Sequence, residues 1–221
     1  DDILSINKEQ NTFIPLQQTF QNKVKLTTNE LPENKGFYTI GSSGHEGMAA
    51  VSQGVSIKNT AFLHYRDCAF VLQRARQKYR DSKLEDHLRA LVASINDPIA
   101  SGRHKVLGSK ALNVPPQTST IASHGPRALG CAYSIGLAKK LNLSPKGEFA
   151  ICSFGDGSFN HSTLQGSLNS AAWLSQQGIP VPLLFICEDN GIAISVPTDE
   201  IWIKSSMYAR HGYKYFECDG L

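Results

Sequence analysis

Two short apolar runs, separated by a span with the composition of a helix, constrain the fold more than any other feature of this sequence. The first run, residues 150–154, breaks into the turn Gly155–Ser158, and the second, residues 181–187, breaks into Glu188–Gly191. Apolar runs on either side of a helix indicate a strand, a helix and a parallel strand. We therefore predict an α/β fold with a central, mostly parallel sheet and helices on both faces.

The polar turns after these runs predict a ligand site. Parallel strands end at the same edge of a sheet, where open α/β folds bind ligands, so Asp156 and Asn190 are expected to lie close together. One carboxylate and one amide supply hard oxygen ligands and leave room for phosphate and water, which suits magnesium. The glycines of the first turn would allow a phosphate to approach the backbone.

The first turn also fits two other interpretations. Gly155–Asn160 is one residue away from the dinucleotide-binding pattern G-x-G-x-x-G, which is a weak signal when it stands alone. Asp156 argues against that pattern, because a carboxylate repels a bare diphosphate and attracts one that carries magnesium. A turn without any ligand is the other alternative, and the second polar, glycine-containing turn argues against it.

These residues resemble a known family. Gly155–Gly157 followed by Asp189–Asn190 resembles the thiamine diphosphate motif, in which GDG precedes a pair of asparagines by some thirty residues. Residues 169–172 and Cys187–Ser195 resemble the α part of the first, decarboxylating component of 2-oxo acid dehydrogenases, with the branched-chain type closest. The resemblance covers residues 36–221 and implies the thiamine diphosphate-binding fold.

The resemblance assigns the cofactor site residue by residue. Magnesium would be held by Asp156, Asn190 and the main-chain carbonyl of Ile192, with Gly157 and Ser158 beside the diphosphate. The other family positions that contact the cofactor are matched by Tyr65 and Arg66, which hold the diphosphate, Ser119, whose main chain contacts the aminopyrimidine, and Ile121, which separates the two rings. Without the family, Arg66 would be read as a surface residue and Ile121 as a core residue.

The resemblance also implies substrate-side residues. Tyr38, Glu46 and His124 are the candidates there, although Tyr38 equally fits a half-buried strand tyrosine. Thr118, Ser123 and His124 match a region that can hold a structural potassium ion. His104 and Lys110, in a loop that borders the active-site entrance in the family, fit solvent exposure better than a substrate role.

Two positions depart from the family pattern. Asp189 replaces the first asparagine of the pair and adds negative charge near the diphosphate. Ile192 replaces a frequent tyrosine, which we expect to be harmless because the metal ligand there is a main-chain carbonyl.

The remaining sequence sets the context. The 221 residues, 41% apolar with a net charge of +3, suffice for one α/β domain, which we place at residues 36–221 after a polar arm at residues 1–35. We expect amphipathic scaffold helices between Cys68 and Ile95, a long irregular loop over residues 102–116 and a strand just before Asp219. Because that strand would end the chain, we interpret the sequence as a fragment.

The predicted function follows from the family. We expect oxidative decarboxylation of branched-chain 2-oxo acids with acyl transfer to lipoyl, using thiamine diphosphate and magnesium. The partners would be a β part, as a separate chain or fused domain, and a lipoyl-bearing acyltransferase, without nucleic acid or membrane. The five cysteines lack metal or redox spacing, which favours a cytoplasmic protein, or one of the mitochondrial matrix in a eukaryote. Alternatives are a pyruvate dehydrogenase component, another thiamine diphosphate enzyme such as a transketolase, and a non-catalytic α/β module.

Overall fold

The computed structural model describes residues 41–80, 84–103, 106–143 and 147–220. In chain order its elements are α1 (Met48–Gly54), β1 (Ala61–Phe62), α2 (Cys68–Tyr79), α3 (Leu84–Leu91), β2 (Leu107–Ser109), β3 (Val114–Gln117), α4 (Gly125–Lys140), β4 (Ala150–Gly155), α5 (Ser162–Gln176), β5 (Leu183–Glu188), β6 (Ile192–Ala193), β7 (Val196–Pro197) and α6 (Trp202–Tyr208). Two 3-10 turns, Lys110–Leu112 and Asp156–Ser158, follow β2 and β4. None of the helices described here is long and apolar enough to cross a membrane.

The described chain forms two compact units. The first unit contains the described residues up to Ile57 and those from Tyr65 to Ser119, and the second contains residues 58–64 and the described residues from Thr120 onward. The predicted boundary between residues 35 and 36 lies outside the described residues, so the division into an arm and one domain stays a prediction.

In the first unit, α1 packs against α2. Ala49 of α1 meets an apolar face of α2 formed by Cys68, Ala69 and Leu72. Polar contacts continue this seam, because the amide nitrogens of Gln73 and Gln77 both donate to the Gln53 side chain. The predicted scaffold helices between Cys68 and Ile95 are confirmed as α2 and α3.

The irregular loop predicted for residues 102–116 was wrong in part, because the structure has a hairpin there. Strands β2 and β3 pair in antiparallel fashion, with Leu107 opposite Gln117. Prolines at 115 and 116 hid this strand from sequence reasoning, since proline is tolerated only at sheet edges and bulges. Gly108 makes the pairing fit, because a Cβ there would lie 2.8 Å from the Pro116 Cα atom.

The second unit contains a parallel sheet with the order β1-β4-β5. Residues 150–155 of β4 pair one by one with residues 183–188 of β5, ending at Gly155 opposite Glu188. Every residue of β4 is buried, as expected for the central strand of a parallel sheet. The predicted α/β fold with a parallel sheet is confirmed, and the predicted strand–helix–strand unit is β4, α5 and β5.

Helices α4 and α5 cover one face of this sheet. Successive side chains of a strand point to opposite faces, and Ala150 and Cys152 point towards Ala128 and Ala132 of α4. On the same face, Phe154 packs with Leu164 and Leu168 of α5. The small side chains of Ala128 and Ala132 therefore allow α4 to pack closely on the sheet.

The strand expected just before Asp219 is not formed. Residues 213–220 are irregular and pair with no strand in the part of the chain that the structure describes. A strand requires a neighbour for its main-chain hydrogen bonds, so apolar composition alone was insufficient there.

Two glycines of α4 provide a matched stability test. A Cβ atom on Gly136 would lie 1.8 Å from the Pro180 carbonyl oxygen, whereas one on Gly130 would meet nothing within 4 Å. Gly130→Ala should stabilise the protein by roughly 0.5–1 kcal/mol through helix propensity. Gly136→Ala should destabilise it by about 1–3 kcal/mol through overpacking against rigid backbone. Urea denaturation of the two variants gives the comparison, and a stabilised Gly136→Ala would contradict this packing.

Candidate functional site

Asp156 lies where the central strand of the sheet ends. It follows Gly155 directly, starts a 3-10 turn and is 5% exposed. One carboxylate oxygen, Oδ2, accepts a hydrogen bond of 2.5 Å from the Thr198 hydroxyl. This contact fixes the orientation of the carboxylate.

The turn after β5 presents the second group of polar side chains. Asp189 Oδ1 accepts from the Gly191 N–H at 3.0 Å, and Asn190 Oδ1 accepts from the Ile192 N–H at 3.2 Å. Side chains that bond to the main chain two residues later form Asx turns, which fix their own direction. Gly191 has φ +72°, a left-handed conformation that favours glycine.

The ends of β4 and β5 bring two carboxyl groups together. Burial raises the pKa of Asp189 above its ordinary value, and a hydrogen bond with Asp156 and the charges of Asp156 and Glu200 raise it further. The N–H of Gly191 opposes this change by stabilising the carboxylate. Negative charge is therefore concentrated at this edge of the sheet, where a bound cation would be stabilised.

Gly157 brings the β6 strand close to the Asp156 turn. A Cβ atom on Gly157 would lie 2.6 Å from the Ala193 Cβ atom, so only glycine allows this approach. Ile192, the residue before Ala193, is thereby held beside the turn that carries Asp156. The structure thus gives Gly157 a packing reason in addition to the phosphate approach predicted from the sequence.

The donor atoms at this edge suit a hard divalent cation. Asp156 contributes a carboxylate, Asn190 an amide oxygen and Ile192 a main-chain carbonyl, while Ser158, 6% exposed, closes the same turn. Magnesium prefers oxygen ligands and leaves positions for phosphate oxygens and water. The three predicted metal ligands therefore fit magnesium by their chemistry.

His124 is held inside the second unit. It is 1% exposed, and its Nε2 atom donates to the Ser153 carbonyl of β4 over 2.6 Å. Burial lowers the pKa of His124, the charge of Arg127 lowers it further, and the Ser153 hydrogen bond acts in the opposite direction. This geometry favours a structural role, and the predicted substrate-side role stays a prediction.

The same segment carries two other predicted residues. Ile121 is 38% exposed, as a side chain that contacts a ligand needs to be. The Ser123 hydroxyl donates to the Thr120 carbonyl over 3.1 Å. Because His124 would offer nitrogen, these donors do not single out potassium, and its binding stays a prediction.

The first unit carries the remaining predicted residues. The Arg66 guanidinium donates to the Gly41 carbonyl over 2.7 Å and lies 5.4 Å from the centre of the Tyr65 ring. Glu46 accepts the Gly44 N–H over 2.8 Å, which stabilises the turn into α1. Ser119 is half-buried, and Lys110 is exposed, as its prediction required. Tyr38 and His104 lie outside the described residues.

Sequence reasoning missed one residue of this site. Thr198 lies 42 positions after Asp156, and its hydroxyl donates directly to the Asp156 carboxylate. No local pattern marks such a contact, because a threonine in an irregular loop is unremarkable by itself. Only the return of the chain through β6 and β7 brings it to the end of β4.

The fold and the site define an α/β protein with oxygen donors at the carboxyl edge of a parallel sheet. The profile of one family, the dehydrogenase E1 component, matches residues 21–215. The chain belongs to the dehydrogenase E1 component family, as the sequence motifs predicted.

Similar proteins make the comparison more specific. The chain is 30% identical over 181 residues to the Mus musculus 2-oxoisovalerate dehydrogenase subunit alpha, mitochondrial. The aligned region covers 80% of this chain and 36% of that relative. It is 30% identical over 184 residues to the Homo sapiens protein of the same name, covering 80% of this chain and 37% of that relative. The Arabidopsis thaliana 2-oxoisovalerate dehydrogenase subunit alpha 2, mitochondrial, is 34% identical over 116 residues. This aligned region covers 51% of this chain and 22% of that relative. The chain thus spans about a third of the length of the mammalian relatives it matches.

The carboxyl pair gives a testable pH dependence. Because the pKa of folded Asp189 is raised, its ionisation opposes folding at neutral pH, and this effect disappears below about pH 4, where both states are protonated. Asp189→Asn should therefore raise the melting temperature of the metal-free protein at pH 7, with the gain shrinking towards pH 4. Calorimetry across this range is the measurement, and a gain that is the same at every pH would contradict the assignment.

Proposed function

We propose that this chain is the α part of the decarboxylating component of a branched-chain 2-oxo acid dehydrogenase. The observation that carries the proposal is the register of β4 and β5, which sets the Asp156 turn beside the Asp189–Asn190 turn. Membership of the dehydrogenase E1 component family supports it. The reaction would be oxidative decarboxylation of a 2-oxo acid with transfer of the acyl group to lipoyl.

Magnesium and thiamine diphosphate fit the donors described above. Asp156, Asn190 and the Ile192 carbonyl would hold the metal, and Gly157 and Ser158 would lie at the diphosphate. When bound, thiamine diphosphate supplies a carbon nucleophile and an electron sink for decarboxylation. The protein supplies the position and charge environment of that group.

Other side chains of this chain are assigned by their match to the family. Arg66, with Tyr65 beside it, would bind the diphosphate, because a guanidinium donates in pairs to phosphate oxygens and keeps its charge. Its present partner, the Gly41 carbonyl, is neutral, so a phosphate would compete well for this donor. The Ser119 main chain would contact the aminopyrimidine, and Ile121 would separate the two rings.

The names of the relatives support the proposed substrate, and the family resemblance supports the proposed partners. Those relatives are named 2-oxoisovalerate dehydrogenase subunits, which supports a branched-chain 2-oxo acid over pyruvate. Tyr38, Glu46 and His124 remain the substrate-side candidates. A β part and a lipoyl-bearing acyltransferase would be the partners. The mitochondrial matrix is proposed for a eukaryotic source and the cytoplasm otherwise.

The metal assignment is tested by removing its one charged ligand. Asp156→Ala should weaken magnesium-dependent binding of thiamine diphosphate by more than about 100-fold, because direct ligands matter more than their supporting shell. Isothermal titration calorimetry measures this, with Asp86→Ala on the exposed face of α3 as the control. Unchanged affinity in Asp156→Ala, with the fold intact, would remove Asp156 from the site.

A second prediction is that this chain supplies only half of the active site. By resemblance, the carboxylate that acts on the pyrimidine ring of the cofactor comes from the β part. The 221 residues alone should therefore bind the cofactor weakly and release no carbon dioxide from 3-methyl-2-oxobutanoate or pyruvate. Activity with an artificial electron acceptor should appear once the β part is supplied, with 3-methyl-2-oxobutanoate preferred. Turnover by this chain alone would contradict the proposal.

A further inference from the structure

Arg74 of α2 is a fully buried cation that joins three segments of the first unit. Its side chain is 0% exposed, and its Nη1 atom donates to the Leu112 carbonyl over 2.9 Å and more weakly to the Asn113 carbonyl at 3.5 Å. Its Nη2 atom donates to the Ser56 carbonyl, just after α1, over 3.3 Å. Burial lowers the pKa of Arg74 to about 10, so the guanidinium stays charged at neutral pH.

The Leu112 and Asn113 carbonyls belong to the tip of the β2–β3 hairpin. Residues 110–112 form a 3-10 turn, and Asn113 leaves it in a left-handed conformation with φ +55°. The Ser109 hydroxyl accepts the Leu112 N–H over 3.3 Å and closes the turn from within. The hairpin tip is therefore held both by its own hydrogen bonds and by a cation from α2.

Lys78, one helical turn after Arg74, also donates to the hairpin tip. Residues four apart lie on the same face of a helix, and Lys78 Nζ donates to the Ala111 carbonyl while Arg74 donates to the next one, on Leu112. Arg74 is also fixed in direction by Phe70, one turn earlier, whose ring centre lies 4.6 Å from its Cζ atom. Two consecutive turns of α2 thus donate to one hairpin, and Phe70 in the turn before them packs against Arg74.

Strand β3 connects the hairpin tip to Ser119, a predicted cofactor-binding residue. Val114 and Gln117 of β3 are both 1% exposed, and the Gln117 amide nitrogen donates to the Thr118 carbonyl over 2.9 Å. Ser119 is the next residue. We propose that Arg74 is a positioning residue that holds the β2–β3 hairpin, and through it Ser119, in the conformation that receives the aminopyrimidine of the cofactor.

This inference rests on the proposed function, and it predicts a selective defect. The hydrogen bonds of Arg74 described above all go to main-chain carbonyls at the hairpin tip and after α1, so its loss should act on the aminopyrimidine end of the cofactor. Inorganic pyrophosphate with magnesium carries only the diphosphate part of the cofactor, so its binding does not depend on contacts with the aminopyrimidine. The ratio of the two affinities therefore separates positioning of Ser119 from general loss of stability, which would weaken both ligands.

The experiment uses the complete protein assembled with its β part. Arg74→Met keeps a long, unbranched side chain and removes the donors. We expect its dissociation constant for thiamine diphosphate with magnesium to rise about tenfold, because the hairpin must be ordered again on binding. The dissociation constant for magnesium pyrophosphate should stay within about twofold on the same argument. Arg80→Met, at the exposed end of α2, is the matched control and should leave both unchanged.

Hydrogen exchange gives a second readout that needs no cofactor. The main-chain N–H groups of Leu112 and Asn113 should exchange faster in Arg74→Met than in wild type, while those of β4 stay protected. If Arg74→Met does not fold, Arg74→Lys takes its place, because lysine keeps the charge but lacks the planar guanidinium that donates through two nitrogens. Arg74→Lys should also weaken the binding of thiamine diphosphate, but by a smaller factor than Arg74→Met, and leave that of magnesium pyrophosphate unchanged.

The outcomes are distinct. If wild type binds thiamine diphosphate and the Arg74 variant binds it equally well, or loses pyrophosphate affinity to the same degree, the positioning inference is overturned and the proposed function stands. If wild type binds magnesium pyrophosphate but gains no affinity from the thiamine part, the proposed function fails and the inference fails with it.

Discussion

The parallel pairing of β4 with β5 is the constraint on which the rest of the site depends. Because Gly155 lies opposite Glu188, the next residues of both strands leave the sheet at the same level. Asp156 is thereby placed beside Asp189 and Asn190 without any direct link between the two turns in the sequence. A shift of one residue in this register would turn the buried side chains of β4 to the opposite face. The burial of all six β4 residues therefore fixes the position of the site as well as the fold.

The same arrangement concentrates negative charge. Burial raises the pKa of Asp189 at the end of the sheet, and the charges of Asp156 and Glu200 raise it further. A protein keeps such a cluster at the expense of stability unless something positive occupies it. The three oxygen donors beside it, from a carboxylate, an amide and a main-chain carbonyl, are of the kind that magnesium prefers. The negative charge and the oxygen donors therefore both favour a bound magnesium ion.

The local part of this architecture could be predicted from the sequence. Strands β4 and β5 and helix α5 have clear apolar patterns and glycine-containing turns, and the metal ligands predicted from the sequence lie in the turns after the two strands. The family motifs added residues such as Arg66 and Ser119, whose local patterns alone would not have identified them. The family itself was correctly predicted because the motif residues are specific in combination.

Contacts between distant residues could not be predicted. The hairpin of β2 and β3 was missed because Pro115 and Pro116 argue locally against a strand, although its partner strand and Gly108 accommodate them. Thr198 reaches Asp156 only through the β6–β7 hairpin. Arg74 was read as part of a charged scaffold helix, yet it is fully buried because distant carbonyl oxygens solvate it. In each case the partner lies many residues away, and no periodicity encodes it.

The central claim is that the ends of β4 and β5 hold a divalent metal on a diphosphate, and metal-specific diffraction tests it most directly. Manganese can replace magnesium at oxygen sites and gives an anomalous signal. Crystals of the assembled protein grown with manganese and thiamine diphosphate should show one anomalous peak within bonding distance of the Asp156 carboxylate, the Asn190 amide oxygen and the Ile192 carbonyl. A fully bound cofactor whose manganese peak lies away from these three oxygens would contradict the account.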